Sequence, residues 1–163
     1  MCRKPRVSLL ARLPHLMPLV RAWAAEVQAA GLQSGRPLAF WQQADARNVG
    51  VIQVARVRLC LVDAMPTLSD PQLAAAAADI GLLGPDTVGL ALGYAVYILR
   101  TQAGERRLLR HELRHVAQCE SAGGMDTFLA EYLEQVARFG YAKAPFEMEA
   151  RRYERCLLTG LDD

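Results

Sequence analysis

The chain has 163 residues, of which 52% are hydrophobic and 22% charged. That suffices for one domain with a real core, so residues 1–163 are read as a single domain. A net charge of +2 excludes the strong basic field of a nucleic-acid binder, and no apolar run approaches the ~20 residues that span a bilayer.

The four cysteines, Cys2, Cys60, Cys119 and Cys156, are scattered without paired spacing, which supports neither a zinc knuckle nor a disulfide framework. They read as free thiols in a reducing compartment, hence a cytoplasmic location. Met1 to Ala25 opens with Arg3, Lys4 and Arg6 and has small residues near Ala24, as a signal peptide does. Arg12, Pro14, His15 and Pro18 interrupt its apolar part, so secretion is the lesser alternative. The positive charge is almost all Arg, with Lys only at Lys4 and Lys143, a codon signature of GC-rich bacterial genomes.

In chain order, residues 1–13 are basic and lack caps, which predicts a flexible, loosely docked arm. Pro18 suits a first helical turn, and Leu19, Val20, Trp23, Val27 and Ala30 follow at helical spacing until Gly31, so a helix is expected over residues 15–30. A loop follows over 31–37, then a short helix, rather than a strand, from Leu38 to Asn48. From Val54 to Val62 the period becomes two: Val57, Leu59 and Leu61 point one way, Arg56, Arg58 and Cys60 the other, as in a strand with one solvated face. Ser69-Asp70-Pro71 starts a helix, with Asp70 as its N-cap and the Ala74–Ala78 run carrying it to Ile80 before Gly81. It reads as scaffolding without chemistry.

Thr87 to Leu99 carries Val88, Leu90, Leu92, Val96 and Ile98, interrupted by Gly89 and Gly93. Glycine in a strand marks a bend or a close backbone approach, so two short strands or one bent strand are expected, ending near Gln102-Ala103-Gly104. Further on, Gly123-Gly124 breaks the chain and Asp126 caps a helix with Phe128, Leu129, Tyr132, Leu133 and Val136 as its stripe, closed by Gly140. Pro145 opens a last helix to about Thr159, with Glu147 and Glu149 in its first turn.

Between strand and break stands His111-Glu112-Leu113-Arg114-His115, an H-E-x-x-H pattern on a helix from Arg106 to Glu120. Residues four apart lie one above the other, so both imidazoles can close on one Zn2+ ion while Glu112, beside the ion, takes a proton from its water. The bland alternative is an amphipathic helix with two metal-free histidines. Leu108, Leu109, Leu113, Val116 and Cys119 fall on one arc, and Arg107, Arg110, Arg114 and Gln118 on the other, as in a half-buried helix. Glu112 falls inside the apolar arc, where a carboxylate needs a partner: a metal site with its water, or a buried Arg. The strand ahead of the helix can hold an extended peptide if it is a sheet edge; otherwise it is interior.

A catalytic zinc usually has three protein ligands and a water. The motif lacks the x-x-G-x-x-H extension of the metzincins, and His15 is remote, which leaves a carboxylate on a later helix. Here the chain resembles the gluzincins, the zincins whose third ligand is a Glu on a helix downstream of H-E-x-x-H. The matching segment is Glu147-Met148-Glu149-Ala150-Arg151. Aligned on Ala150, the third ligand is Glu147, with Glu149 as the alternative, while Arg151 stands where many such families keep an Asp that supports a ligand His.

The resemblance covers residues 87–155, the metal-site half, and is similar to minimal gluzincin-type bacterial domains. It implies a small α+β zincin-like fold, with a short sheet packed on the H-E-x-x-H helix and a downstream glutamate helix. It implies a zinc metallopeptidase acting on a peptide or protein, with His111, His115 and Glu147 as metal ligands and Glu112 as general base, and no nucleic-acid or membrane partner. Tyr94, Tyr97, Tyr141, Tyr153 and several Arg are candidates for a second oxyanion donor. The alternatives are a catalytically silent zincin-fold module that binds metal or a protein, and an interaction module whose motif is accidental.

Overall fold

The computed structural model describes residues 8–155. Its helices are α1 (Leu9–Ser34), α2 (Phe40–Asn48), α3 (Pro71–Ile80), α4 (Arg106–Ser121), α5 (Met125–Phe139) and α6 (Pro145–Tyr153). Its strands are β1 (Arg36–Pro37), β2 (Arg58–Val62), β3 (Gly89–Leu92) and β4 (Ala95–Leu99). The strands form one mixed sheet in the order β1-β2-β4-β3, in which β2 and β4 run parallel and both outer pairs are antiparallel. The chain is therefore α+β, as the sequence leads one to expect, and among the described residues no helix is long and apolar enough to cross a membrane.

Period-two alternation sets the layers. Val57, Leu59, Val96 and Ile98 enter the core shared with Leu109, Leu113 and Val116 of α4, while Cys60, Ala95 and Tyr97 point to the other face and pack with Val27 of α1. This corrects the expected solvated face of β2: Cys60 is buried and its thiol donates to the Gly31 carbonyl. β3 and β4 are two strands joined by Gly93-Tyr94, with Gly93 at φ 57°, the sign that a type II′ hairpin requires at its first central residue.

α1 departs most from expectation. It begins at Leu9, capped by the Ser8 hydroxyl, and runs through Pro14, Pro18 and Gly31 to Ser34. Leu9 and Leu16 pack on Leu73 and Ala76 of α3, and this burial outweighs the helix-breaking cost of two prolines. Both prolines lie exposed, four residues apart on one face, where water can reach the carbonyls they leave unbonded. The predicted arm over 1–13 is thus helical from Leu9; its earlier part, residues 1–7, lies outside the described residues. Gly31 is no stop signal. A Cβ there would lie 2.7 Å from the Ala95 Cβ and 2.8 Å from the Tyr97 hydroxyl, so the absent side chain lets α1 cross β4 closely.

Three shorter elements need amendment or keep their expected form. α3 has the Asp70 N-cap and Gly81 C-cap read from the sequence. Asp126 lies inside the first turn of α5 and Gly124 takes the cap position. α6 ends at Tyr153, short of Thr159; residues 156–163, including Cys156, lie outside the described residues, as does Cys2.

The polar arc of α4 is only partly solvated: Arg107 is exposed and Arg114 half-buried, while Arg110 and Gln118 are buried. Arg110 is 2% exposed, and its guanidinium donates to Asp45 (2.8 Å) and Asn48 (2.6 Å) of α2 and to the Tyr153 carbonyl at the end of α6 (2.9 Å). Arg106 adds a bidentate pair to the same Asp45. Burial alone would raise the Asp45 pKa, but hydrogen bonds from Arg106 and Arg110 outweigh it and hold the carboxyl below its ordinary value. A depressed folded-state pKa gives stability that is present above the unfolded pKa and lost as pH falls through the folded one. Asp45→Asn should therefore cost about 3 kcal/mol at pH 7, by stranding a buried guanidinium. In urea titrations over a pH series, the gap between wild type and variant should narrow below about pH 4.

Candidate metal centre

α4 carries His111, Glu112 and His115 on the side that faces β3, α5 and α6, and all three are buried. Pro145 at the first turn sets the start of α6, and Glu147, two residues on, enters the same space at 1% exposure. His111 Nε2 lies 3.0 Å from Glu147 Oε2, His115 Nε2 lies 3.2 Å from Glu147 Oε1, and the two Nε2 atoms are 3.2 Å apart. Ligand atoms around a tetrahedral ion with bonds of ~2.0–2.1 Å stand about 3.3 Å from one another. His111, His115 and Glu147 form a buried group that can hold a metal ion.

The outer hydrogen bonds fix which imidazole nitrogens carry protons. His111 Nδ1 meets the Glu154 carboxylate at 2.9 Å, which can only accept while ionised. His115 Nδ1 meets Gln118 Oε1 at 2.7 Å, and the Gln118 amide nitrogen in turn donates to the Phe146 carbonyl and to Glu149. Both Nδ1 atoms are thus donors, and in the neutral rings both Nε2 lone pairs aim at one carboxylate. Three electron-rich groups converging in a buried space demand a cation between them. A proton meets that demand in part: burial alone would lower the His111 pKa, but the hydrogen bond to Glu147, the charges of Glu112 and Glu147 and the bond to Glu154 raise it to about 9. Glu147 is shifted the opposite way. Its burial penalty is outweighed by hydrogen bonds from His111, His115 and Tyr132, which hold it ionised, as a ligand must be.

Glu149 is placed elsewhere. Two residues apart on a helix means about 200° of rotation, so it cannot share the Glu147 position. It pairs with Arg114 at 2.9 Å and accepts from Gln118 at 2.6 Å. This removes it from the ligand set as drawn and makes it the anchor of the Glu149–Gln118–His115 chain. His15 is exposed on α1 and takes no part.

Glu112 lines the same cavity as the three ligating groups. Burial raises its pKa above the ordinary carboxylate value, against the pull of His115 and His111 and a hydrogen bond from the Ala91 backbone N–H. Gly89 lies against it: a Cβ there would come within 2.6 Å of Glu112 Oε1 and 3.0 Å of its Cδ. The backbone at Gly89 is not left-handed, so the requirement for glycine is the room it leaves for this carboxylate.

Among the tyrosines singled out from the sequence, Tyr94 bonds Glu120, Tyr97 bonds the Val27 carbonyl and Tyr153 lies under the Arg114 guanidinium. Tyr141 lines the cavity and is half exposed; burial and the charge of Glu147 push its phenol pKa up. Tyr132, read as part of a core stripe, instead donates its hydroxyl to Glu147 Oε1 at 2.7 Å. Glu154 and Gln118 were likewise not foreseen, although the spacing held a signal. Gln118 is three residues after His115 and Glu154 is seven after Glu147, so each shares a helix face with a ligand. Glu154 takes the supporting role that Arg151 cannot; Arg151 donates to the Ala142 carbonyl instead.

No protein-family model matches this sequence, and comparison with curated proteins and with solved structures likewise gives no match. The fold and site define an α+β protein with a buried His-His-Glu group of metal-ligand geometry.

By titration calorimetry, the protein should take up one equivalent of a divalent transition metal. Glu147→Ala should abolish tight binding and Glu149→Ala should retain the one-to-one stoichiometry. Glu154→Ala should weaken affinity by about 10- to 100-fold, the usual effect of removing a carboxylate behind a ligand histidine.

Proposed function

We propose that the protein is a zinc-dependent metallopeptidase of gluzincin type, with His111, His115 and Glu147 as its zinc ligands and Glu112 as its general base. The observation that carries this reading is the convergence of three buried candidate ligand atoms beside a second buried carboxylate, Glu112, that among the described residues belongs to no ion pair with Arg. Nitrogen and oxygen donors in a three-ligand set suit zinc, which when bound there supplies Lewis acidity, lowering the pKa of a water and polarising a carbonyl. Glu112 takes the proton from the attacking water and passes it to the leaving amine. Of the tyrosines considered as oxyanion donors, Tyr141 is our candidate, because it lines the cavity.

The sheet supports a peptide as the substrate. β3 is an edge strand, and the Leu99 N–H bonds the Val88 carbonyl, so in this antiparallel register the main-chain groups of Gly89 and Ala91 point away from β4. The Ala91 N–H is turned to Glu112, so an extended peptide would pair through the Gly89 N–H and the Gly89 and Ala91 carbonyls. β4, directly before the motif helix, is interior; the edge belongs to the strand ahead of it.

With zinc loaded, Glu112→Gln should lower kcat on a cleavable peptide by at least ~10³-fold with metal content unchanged, since the proton acceptor is gone while the ligands remain. Gly89→Ala should lower kcat without loss of zinc, because its methyl group displaces the Glu112 carboxylate. Quenched fluorescent peptide libraries read by mass spectrometry measure both. Stoichiometric zinc with no cleavage by the wild-type protein would instead favour a silent metal-binding module.

A further inference from the structure

α1 and α3 lie in the half of the chain that shows no resemblance to zincins, yet they form one side of the cavity that holds the metal centre. The described residues line a half-open cavity of about 860 Å³ whose walls include His111 and Glu112, β3, Leu13 and Leu16 of α1, and Leu73 and Ala77 of α3. That is the size of a site that takes a ligand of several hundred daltons. Its charged lining residues are those of the His-Glu cluster, Arg151 of α6, Glu154 just past its end, and Asp86 on the loop before β3. The α1–α3 wall is apolar throughout its named positions.

We infer that this arm of the cavity is a subsite for large apolar side chains of the peptide, set within a few residues of the cleaved bond. The inference rests on the peptidase reading for the cleavage but on the cavity alone for the binding. Burying a Leu or Phe side chain against this wall removes apolar surface from water on both partners, whereas a charged side chain would lose its hydration with no opposite charge on the wall to replace it. A fatty acyl chain has the same apolar character but cannot use the Gly89 N–H and the Gly89 and Ala91 carbonyls, which the register turns outward along the flank of the same cavity. A peptide uses both, the edge for its backbone and the arm for its side chains.

Two measurements test this separately from turnover. In a peptide library cleaved by the zinc-loaded wild type, one position near the cut should be enriched in Leu, Phe and Met and depleted in Asp, Glu, Lys and Arg. Ala77→Glu should shift that position toward Lys and Arg, and Leu13→Gln on the facing helix should weaken the enrichment if Ala77→Glu fails to fold by circular dichroism. Binding is read with zinc-loaded Glu112→Gln protein, by Trp fluorescence and calorimetry, because Trp23 also lines the cavity. An uncharged Leu- and Phe-rich hexapeptide should bind about tenfold or more tighter than its Lys- or Glu-substituted counterparts, a charge being costly to desolvate there, and Ala77→Glu should remove that margin. Apolar binding without cleavage by the wild type would uphold the subsite and defeat the peptidase reading. Cleavage with no apolar preference, a preference untouched by both wall variants, or tighter binding of decanoate than of the peptide would overturn the subsite.

Discussion

One buried cation holds the architecture of the site. The Arg110 guanidinium reaches α2 through Asp45 and Asn48 and reaches the end of α6 through the Tyr153 carbonyl. A guanidinium can fill such a place because its planar fork offers five donors in fixed directions, and here those directions lead to two separate elements. α6 has nine residues, too few to be helical by itself in water. Its position on α4 depends on Arg110 from one side and on Arg114, which grips Glu149 and stacks on Tyr153, from the other. Two arginines on the motif helix therefore decide where Glu147 stands.

From that placement the electrostatics follow. Each imidazole is oriented by a group behind it, Glu154 for His111 and Gln118 for His115, so that both inner nitrogens face Glu147. Tyr132 adds a donor to the same carboxylate. Among the described residues no buried side-chain nitrogen or oxygen lacks a hydrogen-bond partner, so the polar interior is satisfied except for the positive charge that its geometry invites. The raised pKa of His111 and the lowered pKa of Glu147 are two views of that one demand.

Much of this was legible in the sequence, and for identifiable reasons. Motif spacing, the Asp70-Pro71 start, the paired glycines at 89 and 93 and the Pro145 start are local signals with local causes, and each gave an element of the right type. Glu147 was reachable because its offset from Ala150 matched a pattern. What stayed hidden depended on what packs against what. The prolines of α1 argued for a later start, and only the burial of Leu9 and Leu16 on α3 explains the longer helix. The arginine arc of α4 looked solvated because no periodicity can show that α2 brings Asp45 to meet it. Glu154 escaped notice because a pattern centred on Arg151 drew the eye one residue past Ala150, while the carboxylate behind His111 arrives a turn later.

The third donor sits on the last described helix, some 36 positions after the first imidazole in the chain. Until that helix has docked, the motif helix presents a bidentate pair at most, and bidentate pairs hold divalent ions loosely. Capture of an ion by all three groups would thus be a late event in the life of each newly made chain, and such an ion would stabilise only the finished fold. Occupancy would then certify that α6 has found its seat.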